Sequence, residues 1–269
     1  MRRRRITITV KEEVLHEVDK LVNDMTIRSR SQAIEFLLTK TVEKYKIGGA
    51  LILAGGRDKL DGRPKCMALV NGKPVLEHVI IHLGAAGVDN IVIYVDWEGD
   101  KITGYFKDGK ALGVKIRYMV GERPQGRAIP IKMAHDYFDD TFLVYYGDTL
   151  CSIDIKDMIR SHKDNASLVT MALTTVSNPG SYGVVKMKGN RITDFEEKPE
   201  KIGSHMVSAG IFLIEPSVLR SITNDMASPE NDLFPKLAKK NQLFGYLFEG
   251  LWLNINDASA LRKANNLWG

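Results

Sequence analysis

The first 45 residues contain one strand pattern and two helix patterns, which are too few elements to complete a fold within one chain. Apolar residues alternate with threonines over residues 6–10, the period-2 pattern of a strand with one apolar and one polar face. Residues 11–24 and about 29–45 have the apolar spacing of two amphipathic helices, and Ser29 with Gln32 is a capping-box signature. A single strand leaves two unpaired edges, and so small a core is marginal alone. We therefore expect a homodimer in which two chains pair their strands antiparallel above the helices.

Positive charge is concentrated at the same end of the chain. The protein has 38 Lys and Arg against 33 Asp and Glu, a net charge of +5. Residues 1–46 hold 11 of the basic and 7 of the acidic residues, which leaves 27 against 26 for residues 47–269. Four of the N-terminal charges are consecutive, Arg2 to Arg5. A basic end on a near-neutral protein indicates either a polyanionic partner or a solubilising tail.

The strand pattern favours the polyanion, because the polar face of a two-stranded ribbon fits the major groove of B-DNA. Residues 4–10, together with Leu15, Leu21 and residues 29–34, resemble the ribbon-helix-helix repressors over about residues 3–45. The resemblance implies that one strand face contacts the bases of double-stranded DNA and that the start of the second helix holds a phosphate through backbone N–H groups. The implied DNA-binding residues are Arg3, Arg4, Arg5, Thr7, Thr9, Ser29, Arg30 and Ser31. The alternative is a dimerisation arm that does not contact DNA.

From residue 49 onward the chain alternates strand and helix patterns, which indicates a mostly parallel sheet covered by helices. Gly48-Gly49 ends the second helix, so the linker is only a few residues and we place the boundary between domains 1–46 and 47–269. After Ile153 the pattern becomes mixed. In such folds, ligands bind at the carboxyl ends of the strands. The predicted strands cover residues 50–54, 90–95, 114–120, 141–146, 167–175, 183–187 and 207–214, and the predicted helices cover 75–86 and 127–136.

Eight motifs in order give this larger part a second resemblance, from about Gly49 to Asn266. They look like the segments of sugar-1-phosphate nucleotidyltransferases. The fold class that we expect is therefore α/β, an N-terminal ribbon-helix-helix followed by a Rossmann-like mixed sheet of the nucleotidyltransferase, glycosyltransferase-A-like type. The motifs are LAGG at 53–56, RPKCM at 63–67, NGKP at 71–74, YYGD at 145–148, YGVV at 182–185, FEEKP at 195–199, SAGIF at 208–212 and GLWLNI at 250–255.

The resemblance implies a reaction in which a sugar phosphate attacks the α-phosphate of a nucleoside triphosphate and pyrophosphate leaves. Such chemistry needs backbone donors and cations around the triphosphate, and carboxylates that hold Mg²⁺. By position, Lys65 and Asp148 would be catalytic, with Asp148 and Asn254 on the metal. The implied nucleotide-binding residues are Gly55, Gly56, Arg57, Lys65, Gln125 and Gly126, and those for the sugar phosphate are Gly183, Glu197 and Lys198.

Three departures from the family pattern bear on catalysis. The loop after the glycine pair, residues 57–63, is shorter than the family's Gly-Thr-Arg loop and puts Asp58 and Asp61 near the triphosphate charge. Asn254 stands where the family's Trp-x-Asp-Ile-Gly has its aspartate, so a site for a hard cation loses one negative charge. Arg127 begins a segment that replaces the family's Gly-Thr-Ala.

These departures favour a domain that binds a nucleotide, nucleotide-sugar or sugar phosphate with impaired catalysis. The whole chain would then be a DNA-binding transcription regulator. The alternative is an active Mg²⁺-dependent sugar-1-phosphate nucleotidyltransferase with an appended DNA-binding domain. A third possibility is a scaffold in which the N-terminal part only dimerises, and whether dimers associate further is left open.

Composition excludes several other classes of protein. A chain that is 44% hydrophobic and 26% charged is not intrinsically disordered, and no apolar run reaches the roughly 18 residues of a membrane helix. The N-terminus lacks the apolar stretch of a secretory signal. The two cysteines, Cys66 and Cys151, lack metal-ligand spacing and are typical of reduced thiols. We therefore expect a cytoplasmic protein with no membrane partner.

Overall fold

The computed structural model describes residues 5–23, 25–121 and 126–268, and the chain divides into two compact units. One unit ends at Lys46 and the other begins at Ile47. Arg3 and Arg4, expected at the DNA, and Gln125, expected at the nucleotide, lie outside the described residues. No helix within the described ranges is long and apolar enough to cross a membrane.

The N-terminal unit contains two helices, α1 (Glu12–Asp19) and α2 (Arg30–Lys44). Helix α1 ends earlier than the pattern predicts because the side chain of Asn23 accepts N–H groups from residues 25–27 and stabilises a turn there. Residues 5–11 form no strand ladder within the single chain, although a strand is predicted over residues 6–10. The segment is unpaired within the single chain, so the predicted strand is not observed there.

Few apolar side chains of this unit are buried within it. Val18 of α1 and Ala33 of α2 are covered, and the Arg30 guanidinium joins the helices through two bonds to Asp19, at 2.6 and 2.8 Å. Most of the remaining apolar stripe is exposed, which is the pattern of a unit that completes its core with another surface. The exposed apolar side chains are Ile6, Ile8, Val14, Met25, Phe36, Leu37, Leu38 and Val42.

The second unit is built on a mixed β-sheet. The strands of this unit are β1 (Gly49–Leu53), β2 (Lys59–Leu60), β3 (Arg63–Pro64), β4 (Leu69–Val70), β5 (Lys73–Pro74), β6 (Asn90–Val95), β7 (Lys115–Val120), β8 (Phe142–Tyr146), β9 (Thr149–Cys151), β10 (Val169–Thr175), β11 (Gly183–Lys188), β12 (Arg191–Glu197), β13 (Met206–Ile214), β14 (Leu243–Leu247) and β15 (Trp252–Asn254). Among the described residues, nine of these strands form one sheet in the order β10-β14-β12-β11-β13-β8-β1-β6-β7, and the other strands form short two-stranded pairs.

The N-terminal half of the sheet is parallel, as the alternation of patterns predicts. Strands β8, β1, β6 and β7 run parallel, whereas β13 is antiparallel to β8, β10 and β11. The apolar runs of β1 and β6 are buried almost throughout, as strands covered on both faces must be. The helices of this unit are α3 (Val75–Ala85), α4 (Gly99–Phe106), α5 (Ala128–Met133), α6 (Ile155–Asp164), α7 (Pro229–Asp232), α8 (Phe234–Lys239) and α9 (Ala258–Leu267).

Candidate functional site

The parallel strands β8, β1 and β6 end at one edge of the sheet, so the segments that follow them meet there. Gly55 and Gly56 follow β1, Asp96 follows β6 and Asp148 follows β8. The Gly56 N–H donates to Asp96 Oδ1 at 2.6 Å. A cavity of about 200 Å³ opens at this edge, the first cavity, lined by Leu53, Ala54, Gly55, Gly56, Asp58, Pro64, Lys65, Cys66, Arg127, Tyr146 and Asp148.

Gly55 is required by the close approach of the two strand ends. A Cβ at this position would lie 2.7 Å from Asp96 Oδ2 and 2.8 Å from the Tyr94 ring, so no larger residue fits without a shift. Gly126 is confined in the same way, since its Cβ would lie 2.1 Å from the carbonyl oxygen of Ala227. Gly55 and Gly126 both line a further cavity at this edge, and the absence of a Cβ at each position leaves room for the neighbouring atoms.

A second cavity of about 290 Å³ adjoins the first. It shares Asp58, Lys65, Arg127, Tyr146 and Asp148 with the first cavity. The remaining lining residues include all three predicted sugar-phosphate residues and the predicted metal residue of β15. They are Thr149, Ser181, Tyr182, Gly183, Glu197, Lys198, Ser208, Ala209, Gly210, Glu230, Trp252, Asn254 and Asn256.

Lys65 lies at the junction of the two cavities and is bound by a carboxylate of the shortened loop. Its Nζ is 2.9 Å from Asp58 Oδ2, and the Lys65 side chain is 22% exposed while that of Asp58 is 80% exposed. Burial raises the pKa of Asp148, and the charge of Lys65 opposes that rise. The predicted α-phosphate lysine is therefore near two carboxylates, one of which reaches it from the loop.

The loop that carries Asp58 is tied to the segment after β6. Lys59 Nζ lies 2.6 Å from Glu98 Oε1, and the Arg57 guanidinium lies 5.1 Å from the Trp97 ring centroid. Arg57, expected at the nucleotide, does not line either cavity, and Asp61, expected near the triphosphate, does not line them either. The loop therefore brings one of its two aspartates into the site.

Gly183 and Glu197 face each other across the β11–β12 ladder, and Lys198 follows directly. A Cβ at Gly183 would lie 2.4 Å from the Phe195 ring and 3.0 Å from Glu197 Oε2, so this glycine makes room for the Glu197 carboxylate. Burial raises the pKa of Glu197, the neighbouring Glu230 raises it further, and Arg127 lowers it.

The second cavity also contains a cluster of interacting side chains that the sequence analysis did not predict, formed by Arg127, Tyr146 and Glu230. The Tyr146 hydroxyl donates to Glu230 Oε1, the Arg127 guanidinium lies 3.4 Å from the same oxygen, and it also lies 4.9 Å from the Tyr146 ring centroid. Burial and Glu230 raise the pKa of Tyr146 well above its usual range. In the sequence, Glu230 follows Ser228 and Pro229, which predicts only a first-turn helix residue. No local pattern relates it to a tyrosine 84 positions away.

The residues expected to hold Mg²⁺ are brought together by the β9–β15 pair. Asn254 lies opposite Thr149 in the ladder, and the Ile255 N–H donates to the Asp148 carbonyl at 2.8 Å. Asn254 Oδ1 is buried and has no hydrogen-bond partner among the described residues. The described residues contain no group of three or more His, Cys, Asp or Glu arranged for a metal. One carboxylate and one orphaned amide oxygen fit Mg²⁺, which commonly keeps waters and takes phosphate oxygens as its other ligands.

In the N-terminal unit, the predicted DNA contacts that the structure describes are exposed. Arg5, Thr7 and Thr9 are all exposed. Ser29 is the N-cap of α2, with its side chain accepting the Gln32 N–H at 3.3 Å. The Arg30 guanidinium is engaged with Asp19, so any phosphate contact at this helix start would use its backbone N–H groups.

Comparison with known proteins identifies both parts of the chain. The nucleotidyl transferase family model matches residues 50–268, and the model of the ribbon-helix-helix protein, copG family, matches residues 4–45. A mannose-1-phosphate guanyltransferase from Aspergillus oryzae is 34% identical over 218 residues, and mannose-1-phosphate guanyltransferase beta-B from Xenopus laevis is 32% identical over 217 residues. Each match covers 77% of this chain but only 60% of the relative. The chain thus corresponds to about three fifths of these proteins.

A solved structure has the same fold. The structure of HddC from Yersinia pseudotuberculosis complexed with GMP-PN matches with a TM-score of 0.71 at 24% identity, covering 82% of this chain and 99% of that one. The expected fold class and both family resemblances are thereby confirmed.

Proposed function

Because the chain belongs to the nucleotidyl transferase family and also carries a ribbon-helix-helix domain, we propose that it is a homodimeric DNA-binding transcription regulator. Its domain 1–46 binds double-stranded DNA and dimerises. Its domain 47–269 binds a nucleotide-sugar, or the nucleotide or sugar phosphate from which one is made, as an effector. Catalysis by this second domain is impaired.

The observation that carries the impaired catalysis is the Lys65–Asp58 ion pair. A lysine that stabilises charge on an α-phosphate must present its ammonium group to that phosphate. Here the Asp58 carboxylate of the preceding loop lies 2.9 Å from the ammonium, and a triphosphate would have to displace that carboxylate against its negative charge. A ligand with less charge at this point faces a smaller repulsion. The site therefore supports binding of a nucleotide-sugar or sugar phosphate better than nucleotidyl transfer from a triphosphate to a sugar phosphate.

The remaining residues divide between the two cavities. The backbone of Gly55 and Gly56, with Gly126, would border the nucleotide, and Gly183, Glu197 and Lys198 would hold the sugar phosphate. Asp148 and Asn254 would hold Mg²⁺, which supplies neutralisation of phosphate charge when bound. Asn254 contributes a neutral oxygen, so the protein provides one negative charge to the metal through these two residues. A Mg²⁺ ion with one protein carboxylate keeps positive charge to neutralise the diphosphate of a bound nucleotide-sugar.

The relatives suggest which ligands to test first. Two of them are named mannose-1-phosphate guanyltransferases, so GTP, GDP, mannose 1-phosphate and GDP-mannose are the natural probes. We expect GDP-mannose or mannose 1-phosphate to bind the full chain in calorimetry. We expect no pyrophosphate release when the chain is incubated with each of the four NTPs, a panel of hexose 1-phosphates and Mg²⁺.

An active enzyme is the second candidate, favoured by the orphaned Asn254 oxygen near Asp148. Pyrophosphate release that disappears in Asp148→Ala would establish it and overturn impaired catalysis. Failure of every probe to bind the full chain would instead remove the effector role.

The DNA-binding role rests on the exposed Arg and Thr residues that precede α1. We expect the full chain to be retained on double-stranded DNA in a salt-dependent manner, and deletion of residues 1–10 to abolish retention. Retention that is unchanged by the deletion would overturn this role. A full chain that is not retained on DNA at any salt concentration would favour the scaffold.

A further inference from the structure

We propose that Glu230 is a specificity-determining residue of the second cavity, which accepts a hydroxyl hydrogen from the ring of a bound sugar. This inference rests on the proposed binding of a sugar-containing ligand and names a residue that recognises it. Nothing in the sequence motifs assigns a role to Glu230, which lies in the short helix α7.

The starting observation is a buried carboxylate oxygen without a partner. The Glu230 side chain is only 7% exposed and lines the second cavity, and its Oε2 has no hydrogen-bond partner among the described residues. A buried carboxylate oxygen that makes no hydrogen bond costs free energy, so such an atom needs an explanation. Glu230 lines the second cavity while Oε2 itself is almost fully buried, so a donor in the cavity would reach Oε2 after a small movement of the side chains that cover it.

The other carboxylate oxygen is held in place. Glu230 Oε1 accepts from the Tyr146 hydroxyl and lies 3.4 Å from the Arg127 guanidinium. These two contacts fix the orientation of the carboxylate and leave Oε2 as the unused acceptor. A side chain that is held by one oxygen keeps its unpaired oxygen in a fixed place beside the cavity, so only the covering side chains have to move when the ligand binds.

Charge decides what kind of donor this oxygen takes. An ionised carboxylate only accepts hydrogen bonds, so its partner is either a cation or a neutral N–H or O–H donor. The Arg127 guanidinium already compensates the charge of Glu230 and also lowers the pKa of Glu197 in the same cavity. A second cation would be repelled by Arg127 and by Lys198, which lines the cavity as well. A neutral hydroxyl avoids this repulsion.

Glu197 provides a second acceptor in the same cavity, so the pair suits a ring that presents more than one hydroxyl. A hexose 1-phosphate has this chemistry, with its phosphate directed to a cation and its ring hydroxyls to the carboxylates. Methyl phosphate keeps the phosphate and lacks the hydroxyls. The difference in affinity between these two compounds therefore measures what the sugar ring with its hydroxyls adds to phosphate binding.

The test compares Glu230→Gln with the wild-type full chain by calorimetry, using mannose 1-phosphate, glucose 1-phosphate and methyl phosphate. If the amide oxygen keeps the bond from Tyr146, the amide NH2 replaces Oε2, so an acceptor becomes a donor of similar shape. We expect the variant to lose about tenfold to a hundredfold in affinity for at least one of the two hexose phosphates, with methyl phosphate unchanged. Glu196→Gln is the matched control, because Glu196 is an exposed neighbour of Glu197 that lines neither cavity.

The outcomes separate the two proposals. If the wild-type chain binds none of the hexose phosphates, the proposed effector site fails in its sugar-phosphate form. If the wild-type chain binds them and Glu230→Gln binds equally well, the role of Glu230 is overturned while the effector site stands. Glu230→Asp, which keeps the charge and shortens the side chain, replaces the glutamine variant if thermal unfolding shows that the latter is not folded. Its expected result is the same selective loss.

Discussion

At the scale of single residues, the site differs from its sequence interpretation mainly in what the charged groups contact. Lys65, Asp148 and Glu197 line the cavities where the motifs put them. Asp58 was expected near the triphosphate, and the structure adds that its partner is Lys65. The motif shows that an acid stands in the loop, but the ion pair depends on how the short strands β2 and β3 turn the loop.

Asp58→Asn tests the loop carboxylate. Removing its charge frees the Lys65 ammonium, so phosphate-containing ligands should bind about fivefold tighter, the range of a partly exposed ion pair. The measurement is calorimetric titration with inorganic pyrophosphate and with mannose 1-phosphate. Asp61→Asn makes the same chemical change in the same loop outside both cavities and should leave affinity unchanged. Equal affinities for the Asp58 variant and wild type would show that the ion pair does not compete with the ligand.

Asp148→Asn tests the cost of a partly buried carboxylate. Burial raises the pKa of Asp148, so the folded state binds its proton more tightly than the unfolded state. The stability that this protonation contributes is present below the ordinary carboxyl pKa of about 4 and is lost as pH rises through the folded-state value. The variant should therefore gain stability over wild type at pH 7.5, with a smaller gain at pH 4.5. Denaturant unfolding in the absence of Mg²⁺ measures both differences, and a gain that grows on acidification would contradict the assignment.

At the scale of elements, the ladder register brings site residues together that lie far apart in the sequence. The β11–β12 pair sets Gly183 opposite Glu197, and the β9–β15 pair sets Asn254 opposite Thr149. Strand β15 begins about 100 residues after β9 ends, so local patterns cannot show that the two strands pair. Helices α4 and α6 were not predicted at all. Their short apolar stripes lie among polar residues and resemble loop composition.

Gly183→Ala tests the space beside Glu197. The added Cβ would meet the Phe195 ring and the Glu197 carboxylate, so we expect a loss of about 1–3 kcal/mol in the free energy of unfolding. Displacement of Glu197 should also weaken binding of mannose 1-phosphate. Gly180→Ala is the matched control, since its nearest neighbour to an added Cβ is 3.9 Å away. Denaturant unfolding and calorimetry measure the two effects, and two alanine variants with equal stability would refute the packing argument.

The predicted N-terminal strand has its own test. Arg5→Ala should relax sequence preference, because Arg5 is expected on the strand face that contacts bases. Arg3→Ala should weaken binding to every DNA sequence alike and reduce the salt slope by about one, because it is expected at phosphates. Binding to specific and scrambled duplexes across a salt series separates these effects. A sequence preference that survives in Arg5→Ala would place base recognition elsewhere.

At the scale of the whole molecule, the proposal joins a DNA-binding dimer to a ligand-binding domain. The domain 1–46 holds most of the net positive charge of the chain, and residues 47–269 are nearly neutral. The electrostatic attraction for an anionic ligand must therefore come from a few local cations, such as Lys65, Arg127 and Lys198, and not from the net charge of the domain.

The proposed coupling between ligand binding and DNA binding can be tested, because thermodynamic linkage makes it reciprocal. If the ligand shifts the DNA affinity of the full chain by some factor, DNA must shift the ligand affinity by the same factor. We expect GDP-mannose or mannose 1-phosphate to change the dissociation constant for DNA by about fivefold or more. Titrating DNA with and without ligand, and ligand with and without DNA, measures both factors. Identical DNA affinity at saturating ligand would exclude the effector role, and Lys198→Ala controls for effects of the ligand outside its site.

The sequence by itself determined the two-part organisation and the family of each part, and it predicted several of the residues that line the two cavities. These features are carried by local periodicity and by motifs, which record the fold in short stretches of chain. Only the tertiary structure decided that Asp58 pairs with Lys65, that Asn254 leaves an oxygen unpaired and that Glu230 meets Tyr146 and Arg127. Each depends on strands and loops far apart in the chain that meet only when the sheet forms, so no local pattern contains them.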